Sequence, residues 1–108
     1  MDNYGWLELI PSGWKAIGRK MIQEIEKVNP NYEIVDMKEK WGALRTYGFN
    51  EDDATYDIVT QYEKKSSHIC CRCGATATKY SLGYILPWCD ECGIDESKYY
   101  IRFNEELT

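Results

Sequence analysis

The chain holds a single histidine, His68, among its 108 residues. That scarcity removes much of metal-hydrolase chemistry. The His-Glu-x-x-His pair that seats a protease zinc is absent, and His68 is followed by Ile69-Cys70 where a zinc deaminase needs x-Glu. No acid–base pair, nucleophile–base pair or phosphate-cradling glycine loop stands out, so an enzyme is not expected. No apolar run approaches the ~20 residues that span a membrane. Met1-Asp2-Asn3-Tyr4 also lacks the basic and apolar regions of a secretory signal. The expected compartment is therefore a reducing, cytoplasmic one. There is no repeat and no low-complexity tract. Positive charge is sparse too: thirteen basic residues oppose eighteen acidic ones, for a formal net charge of −5. The basic residues fall in small groups (Lys15, Arg19 and Lys20; Lys38 and Lys40; Lys64 and Lys65). Binding driven by phosphate contacts needs concentrated Lys and Arg, so direct nucleic-acid binding is not expected.

Cysteine, in contrast, is present in a pattern. Cys70-Cys71-Arg72-Cys73-Gly74 and Cys89-Asp90-Glu91-Cys92-Gly93 are two Cys-x-x-Cys-Gly runs, with fifteen residues between the pairs. This is the ligand spacing of a four-cysteine structural zinc site. Zn²⁺ favours four soft donors in a tetrahedron, and two cysteines three apart can place both sulfurs on one side of a tight turn. The glycine after each pair lets that turn close without a Cβ clash. The expected ligands are Cys70, Cys73, Cys89 and Cys92, holding one structural Zn²⁺. Cys71 in place of Cys70, or His68 in a three-cysteine, one-histidine site, are the alternatives. Disulfides are disfavoured because nothing in the chain looks secretory. Four cysteine ligands leave no open position for a reacting water, so such a metal is structural rather than catalytic. Four thiolates and one Zn²⁺ would move the net charge to about −7.

The length suits one domain with a modest core. We expect a single domain over 1–108: a helix–hairpin–helix body over 1–66, and a zinc-ribbon-like unit with a C-terminal segment over 67–108 that shares its core. Residues 1–11 read as an extended aromatic lead-in. Ser12 is a candidate N-cap for an amphipathic helix carrying Trp14, Ile17, Met21, Ile25 and Val28, which Asn29-Pro30 ends. Tyr32 to Met37 and Leu44 to Phe49 read as strands of an antiparallel hairpin, with Tyr32 and Ile34 on one face and Val35 and Met37 on the other. Asn50 to Asp53 supplies caps for a second helix, whose apolar face is Thr55, Ile58, Val59 and Tyr62. A small hairpin carries the two cysteine knuckles, and Tyr99 to Phe103 returns to the body. The expected fold class is α+β: two helices packed on a small antiparallel sheet, plus a zinc-ribbon-like four-cysteine unit. The acids gather at Glu51, Asp52, Asp53 and Asp57 and again at Asp90, Glu91, Asp95 and Glu96. Such faces suit docking on a basic surface. Asp52, Asp53, Asp57, Asp95 and Glu96 are the candidate contacts, with Tyr99 and Tyr100 as aromatic anchors.

The run Met37-Lys38-Glu39-Lys40-Trp41-Gly42-Ala43-Leu44-Arg45-Thr46-Tyr47, followed by Ser66-Ser67-His68-Ile69-Cys70 and the two knuckles, resembles a group of small, largely uncharacterised phage and prophage proteins. In that group the hairpin reads like Lys-Glu-Lys-Phe-Gly-Gly-Leu-Arg-Phe-Tyr and precedes a helix, a Cys-x-x-Cys-Gly knuckle and a second ligand pair. The likeness covers roughly residues 12–93. Trp41 and Ala43 depart from the group's usual residues. Its second pair often ends in histidine, where this chain has Cys92. The resemblance implies phage origin, work in the host bacterial cytosol and a structural metal. By analogy with short acidic phage proteins it further implies an anti-CRISPR protein, an inhibitor that binds a Cas9-type effector and interferes with target DNA binding. The alternative expectation is a nucleic-acid-binding zinc-ribbon accessory protein of a phage, for which Lys38, Lys40, Arg45, Arg72 and Lys79 would have to form one basic surface.

Overall fold

A computed structural model describes residues 2–93 in full and the backbone of residues 100–102. The lead-in is not extended. Asn3–Leu9 form a 3₁₀ helix, which Asp2 caps by accepting the Gly5 N–H at 2.9 Å. Asn3 then ties this turn to the first strand: its amide donates to the Tyr32 carbonyl and accepts the Ile34 N–H, each at 2.9 Å. A second 3₁₀ turn, Ser12–Trp14, leads into helix α1, Lys15–Val28. Met21, Ile22 and Ile25 face the core at helical spacing, while Val28 is half exposed. Ser12 does not cap α1. Its hydroxyl donates instead to the Arg72 carbonyl at 2.8 Å, sixty residues away.

Strands β1 (Glu33–Lys40) and β2 (Ala43–Phe49) pair antiparallel through the two-residue turn Trp41-Gly42. Both turn residues have positive φ, 57° and 82°, as a type I′ hairpin requires. The strand pattern expected for β1 needs one correction. Ile34 and Met37 are both buried although they sit three apart, because the register shifts between Ile34 and Asp36. A bulge there inserts one residue, which returns Met37 to the core face and leaves Val35 outside. Helix α2, Asp53–Ser66, starts at the cap Asp52, whose carboxylate accepts the Thr55 N–H at 2.8 Å. It packs on α1 and runs beside β2, where the Leu44 N–H reaches the Ser66 hydroxyl at 2.7 Å. The architecture is thus α+β, with helices on a two-stranded antiparallel sheet beside a four-cysteine cluster.

Beyond α2 the chain builds a second, three-stranded antiparallel sheet in the order β4-β3-β5: β3 is Lys79–Ser81, β4 Pro87–Trp88 and β5 Tyr100–Arg102. The join to the first layer is made by backbone. The Trp14 indole, fully buried, donates to the Ile69 carbonyl at 2.9 Å, and the Gly13 N–H donates to the Cys71 carbonyl at 2.8 Å. The Cys71 side chain is part of the same core cluster as Trp14, Met21 and Tyr62. Gly13 is needed for closeness rather than for flexibility. A Cβ built there would lie 2.0 Å from the Cys70 carbonyl oxygen and 2.8 Å from the Gly74 nitrogen, both backbone atoms that cannot swing aside. Gly13→Ala should therefore cost about 3 kcal/mol or more, read as a fall of roughly 10–20 °C in Tm. A thermal midpoint equal to the wild type would show that residues 12–14 do not seat against the first knuckle.

Candidate functional site

Each knuckle is closed by the same contact. The Gly74 N–H returns to the Cys70 carbonyl and the Gly93 N–H to the Cys89 carbonyl, both at 3.0 Å. These turns aim the sulfurs inward. Further N–H groups point at the sulfurs themselves, from Ala75 to Cys73 Sγ at 3.4 Å and from Cys92 to Cys89 Sγ at 3.3 Å. A hydrogen bond of 2.8 Å from the Thr78 hydroxyl to Asp90 braces the second turn. The four sulfurs of Cys70, Cys73, Cys89 and Cys92 all lie within 4.8 Å of one another. Cys73 and Cys89 are 3.6 Å apart. Four sulfurs at ~2.3 Å from one ion in a tetrahedron would be about 3.8 Å apart, so the cluster has the size of a metal cage. A disulfide would need ~2.05 Å, and all five cysteines are free thiols.

Electrostatics separate the ligands from their neighbours. Burial works against the Cys70 thiolate. Hydrogen bonds from the backbone of Cys73, Cys89 and Arg72 outweigh it and bring the thiol down to about 6. Cys92 is pushed up to about 12, first by its hydrogen bond with Cys89 and then by burial. At Cys73 the Ala75 N–H favours the thiolate, but contact with the other sulfurs raises the thiol above its ordinary value. Without a cation the cluster thus keeps protons shared among crowded sulfurs, and an ion entering it must release them. Cys71 is different: burial, then the adjacent Cys70 charge, push it up to about 12, and it sits in the apolar core outside the cluster. His68 is also outside the cluster; its carbonyl accepts the Ala77 N–H at 2.9 Å.

The acidic candidates divide. Asp52, Asp53 and Asp57 are all exposed at the start of α2, together with Glu51. Asp52 is occupied as the helix cap, and hydrogen bonds from the side chain and backbone of Thr55 hold its carboxyl below the usual range. Asp53 and Asp57 have no ion pair among the described residues. Asp95, Glu96 and Tyr99 lie outside the described residues, as does the side chain of Tyr100, whose backbone lies in β5. Three exposed aromatics beside the acids were not singled out from the sequence: Tyr47, Phe49 and Tyr56. Strand alternation in β2 and helical spacing in α2 carry that signal, since Tyr47 and Phe49 fall opposite Leu44 and Thr46, and Tyr56 falls off the Thr55–Val59–Tyr62 face. Of the residues considered for a basic surface, Lys79 is buried, Lys38 pairs with Asp36 at 3.0 Å, and Arg45 pairs with Glu63 at 3.0 Å.

Cys73→Ser and Cys92→Ser should each abolish tight metal binding, and a chelator should lower the Tm of the wild type, whereas Cys71→Ala should keep its metal. Because Cys73 and Cys92 have raised values, loading must displace their protons, so occupancy should fall as pH falls and rise as it increases. Metal content by mass spectrometry across a pH series checks both statements; an occupied Cys92→Ser variant would remove it from the ligand set. No protein-family model matches the chain, and neither a curated protein nor a solved structure matches it.

Proposed function

We propose that this protein is a non-catalytic binding module, held rigid by one structural Zn²⁺ and docking on a basic protein surface through the start of α2. Zinc suits the cage because it takes four thiolates in a tetrahedron without redox chemistry, as a reducing cytosol demands. The observation that carries the docking reading is the row of exposed acids Glu51, Asp53 and Asp57, unpaired among the described residues and set beside the exposed rings of Tyr47 and Tyr56. Interfaces draw their energy from aromatic anchors, while complementary charge steers the encounter. Engagement of Lys38 and Arg45 by carboxylates and burial of Lys79 favour this reading over the nucleic-acid-binding one.

The likeness to phage proteins makes a Cas9-type CRISPR effector the partner to try first. Such effectors hold nucleic acid in a positively charged channel, which an acidic inhibitor can occupy in place of DNA. The experiment is capture of Cas9 with guide RNA by the zinc-loaded chain over a salt series. Asp53→Lys combined with Asp57→Lys should weaken capture about tenfold or more while leaving Tm and zinc content unchanged. Asp52 is left intact because its loss would cost about 1 kcal/mol of helix capping and confuse the result. Equal capture by the double variant would sink the acidic-face reading. No capture by the wild type would remove this effector as the partner.

A further inference from the structure

Between β2 and α2 lies a cleft of about 260 Å³ lined by Arg45, Thr46, Tyr47, Glu51, Tyr56, Val59, Thr60 and Glu63. Its floor is a strand edge. Because the Leu44 N–H points away from β1 to Ser66, strand alternation directs the backbone N–H and carbonyl of Thr46 the same way, toward α2. Thr46 is only 5% exposed, and its hydroxyl is buried without a hydrogen-bond partner. An unpaired buried hydroxyl is costly to a fold, and it lies behind the cleft wall, which leaves the Thr46 backbone as the group that faces the cleft. One end of the cleft is closed by Arg45, whose Nε lies 3.0 Å from a Glu63 oxygen but off the line of its N–H. Glu51 has no ion pair among the described residues.

The geometry points to this cleft as the receptor for one lysine or arginine side chain of the basic partner. The partner itself rests on the docking reading above; the pocket chemistry does not. Val59 offers an apolar wall for an aliphatic stem. The faces of Tyr47 and Tyr56 attract a cation. Glu51 and the outward-facing Thr46 carbonyl accept its hydrogen bonds. An anion would meet two carboxylates, and the single guanidinium is already neutralised by Glu63. The volume admits one long side chain and lies below the ~300 Å³ at which pockets for drug-sized ligands begin.

The test is an NMR titration of the full zinc-loaded chain with Nα-acetyl-lysine amide, Nα-acetyl-arginine amide and uncharged Nα-acetyl-norleucine amide. Saturable shifts at Thr46, Tyr47, Tyr56 and Thr60 with either cationic amide, absent with norleucine, are expected, and the two arms rank lysine against arginine. Glu51→Gln should weaken the cationic amide about fivefold. Tyr56→Ala should weaken it by a similar factor, whereas Thr46→Val should raise Tm by removing an unpaired buried hydroxyl and leave the amide's affinity unchanged. Equal shifts with norleucine, no shifts in the cleft, or a Glu51→Gln variant of unchanged affinity would each overturn the inference. Partner capture is scored separately: capture without any response of the cleft leaves docking and removes the pocket, whereas a saturating cleft without capture leaves the pocket and removes docking.

Discussion

The structure depends on three backbone carbonyls of the first cysteine knuckle and its approach. Ile69, Cys71 and Arg72 accept hydrogen bonds from Trp14, Gly13 and Ser12, the residues that open α1. These carbonyls stand in one array only because the knuckle turn between Cys70 and Gly74 is closed. Trp14, the largest fully buried side chain, is seated by the same array. A chain of this length has a modest core, and small folds commonly need a metal or cross-links to supplement burial. A metal held by the four cysteines and the core would not be separate reservoirs of stability here. An ion that fixes the sulfurs also fixes the carbonyls on which the body's largest side chain rests, and its binding free energy becomes folding free energy.

A second tie works at the opposite end of the hairpin. Glu39 uses both carboxylate oxygens, one accepting the Gly42 N–H at 2.8 Å and the other the Tyr84 hydroxyl at 2.7 Å. The first contact holds the type I′ turn in which Trp41 takes φ 57°, a conformation that favours glycine or asparagine. The second joins that turn to the loop between β3 and β4. Both contacts are exposed to some degree, so each is worth little alone. Their value is positional, because they tie the hairpin turn to the second sheet at the loop between β3 and β4.

How much of this was legible in the residues differs from element to element. The cysteine spacing pointed to the cage because ligand geometry is local: three-residue steps and a following glycine determine a turn whatever surrounds it. The helix faces and the antiparallel hairpin were legible for the same reason. The failures are all long-range. Ser12 has the composition of a cap, but the carbonyl of Arg72 competes for its hydroxyl. Asn3–Leu9 coil into a 3₁₀ helix because Asn3 finds Tyr32 and Ile34 across the fold. The bulge that rotates Met37 inward leaves no mark in an alternation pattern, since Val35 and Met37 are equally apolar. The cleft at Thr46 belongs to this class too: it exists only because α2 covers the strand edge at Leu44 and not two residues further along.

Helix α2 unites the two ends of the molecule. At its C-terminus Ser66 both caps the β2 edge and, after Ser67-His68-Ile69, delivers the chain to Cys70. At its N-terminus Asp52 closes the first turn and sets Asp53, Tyr56 and Asp57 outward. A helix fixed at both ends cannot pivot, so the spacing between the acids on α2 and the rings on β2 is a fixed property of the fold. Preorganisation of this kind lowers the ordering cost that association otherwise incurs. The chain runs from Ser66, which holds the β2 edge at Leu44, through three residues to Cys70, so the closed knuckle anchors the C-terminal end of α2. A metal held by the four cysteines would thus bear on the surface proposed for docking without touching a partner, through the angle at which one helix lies along one strand.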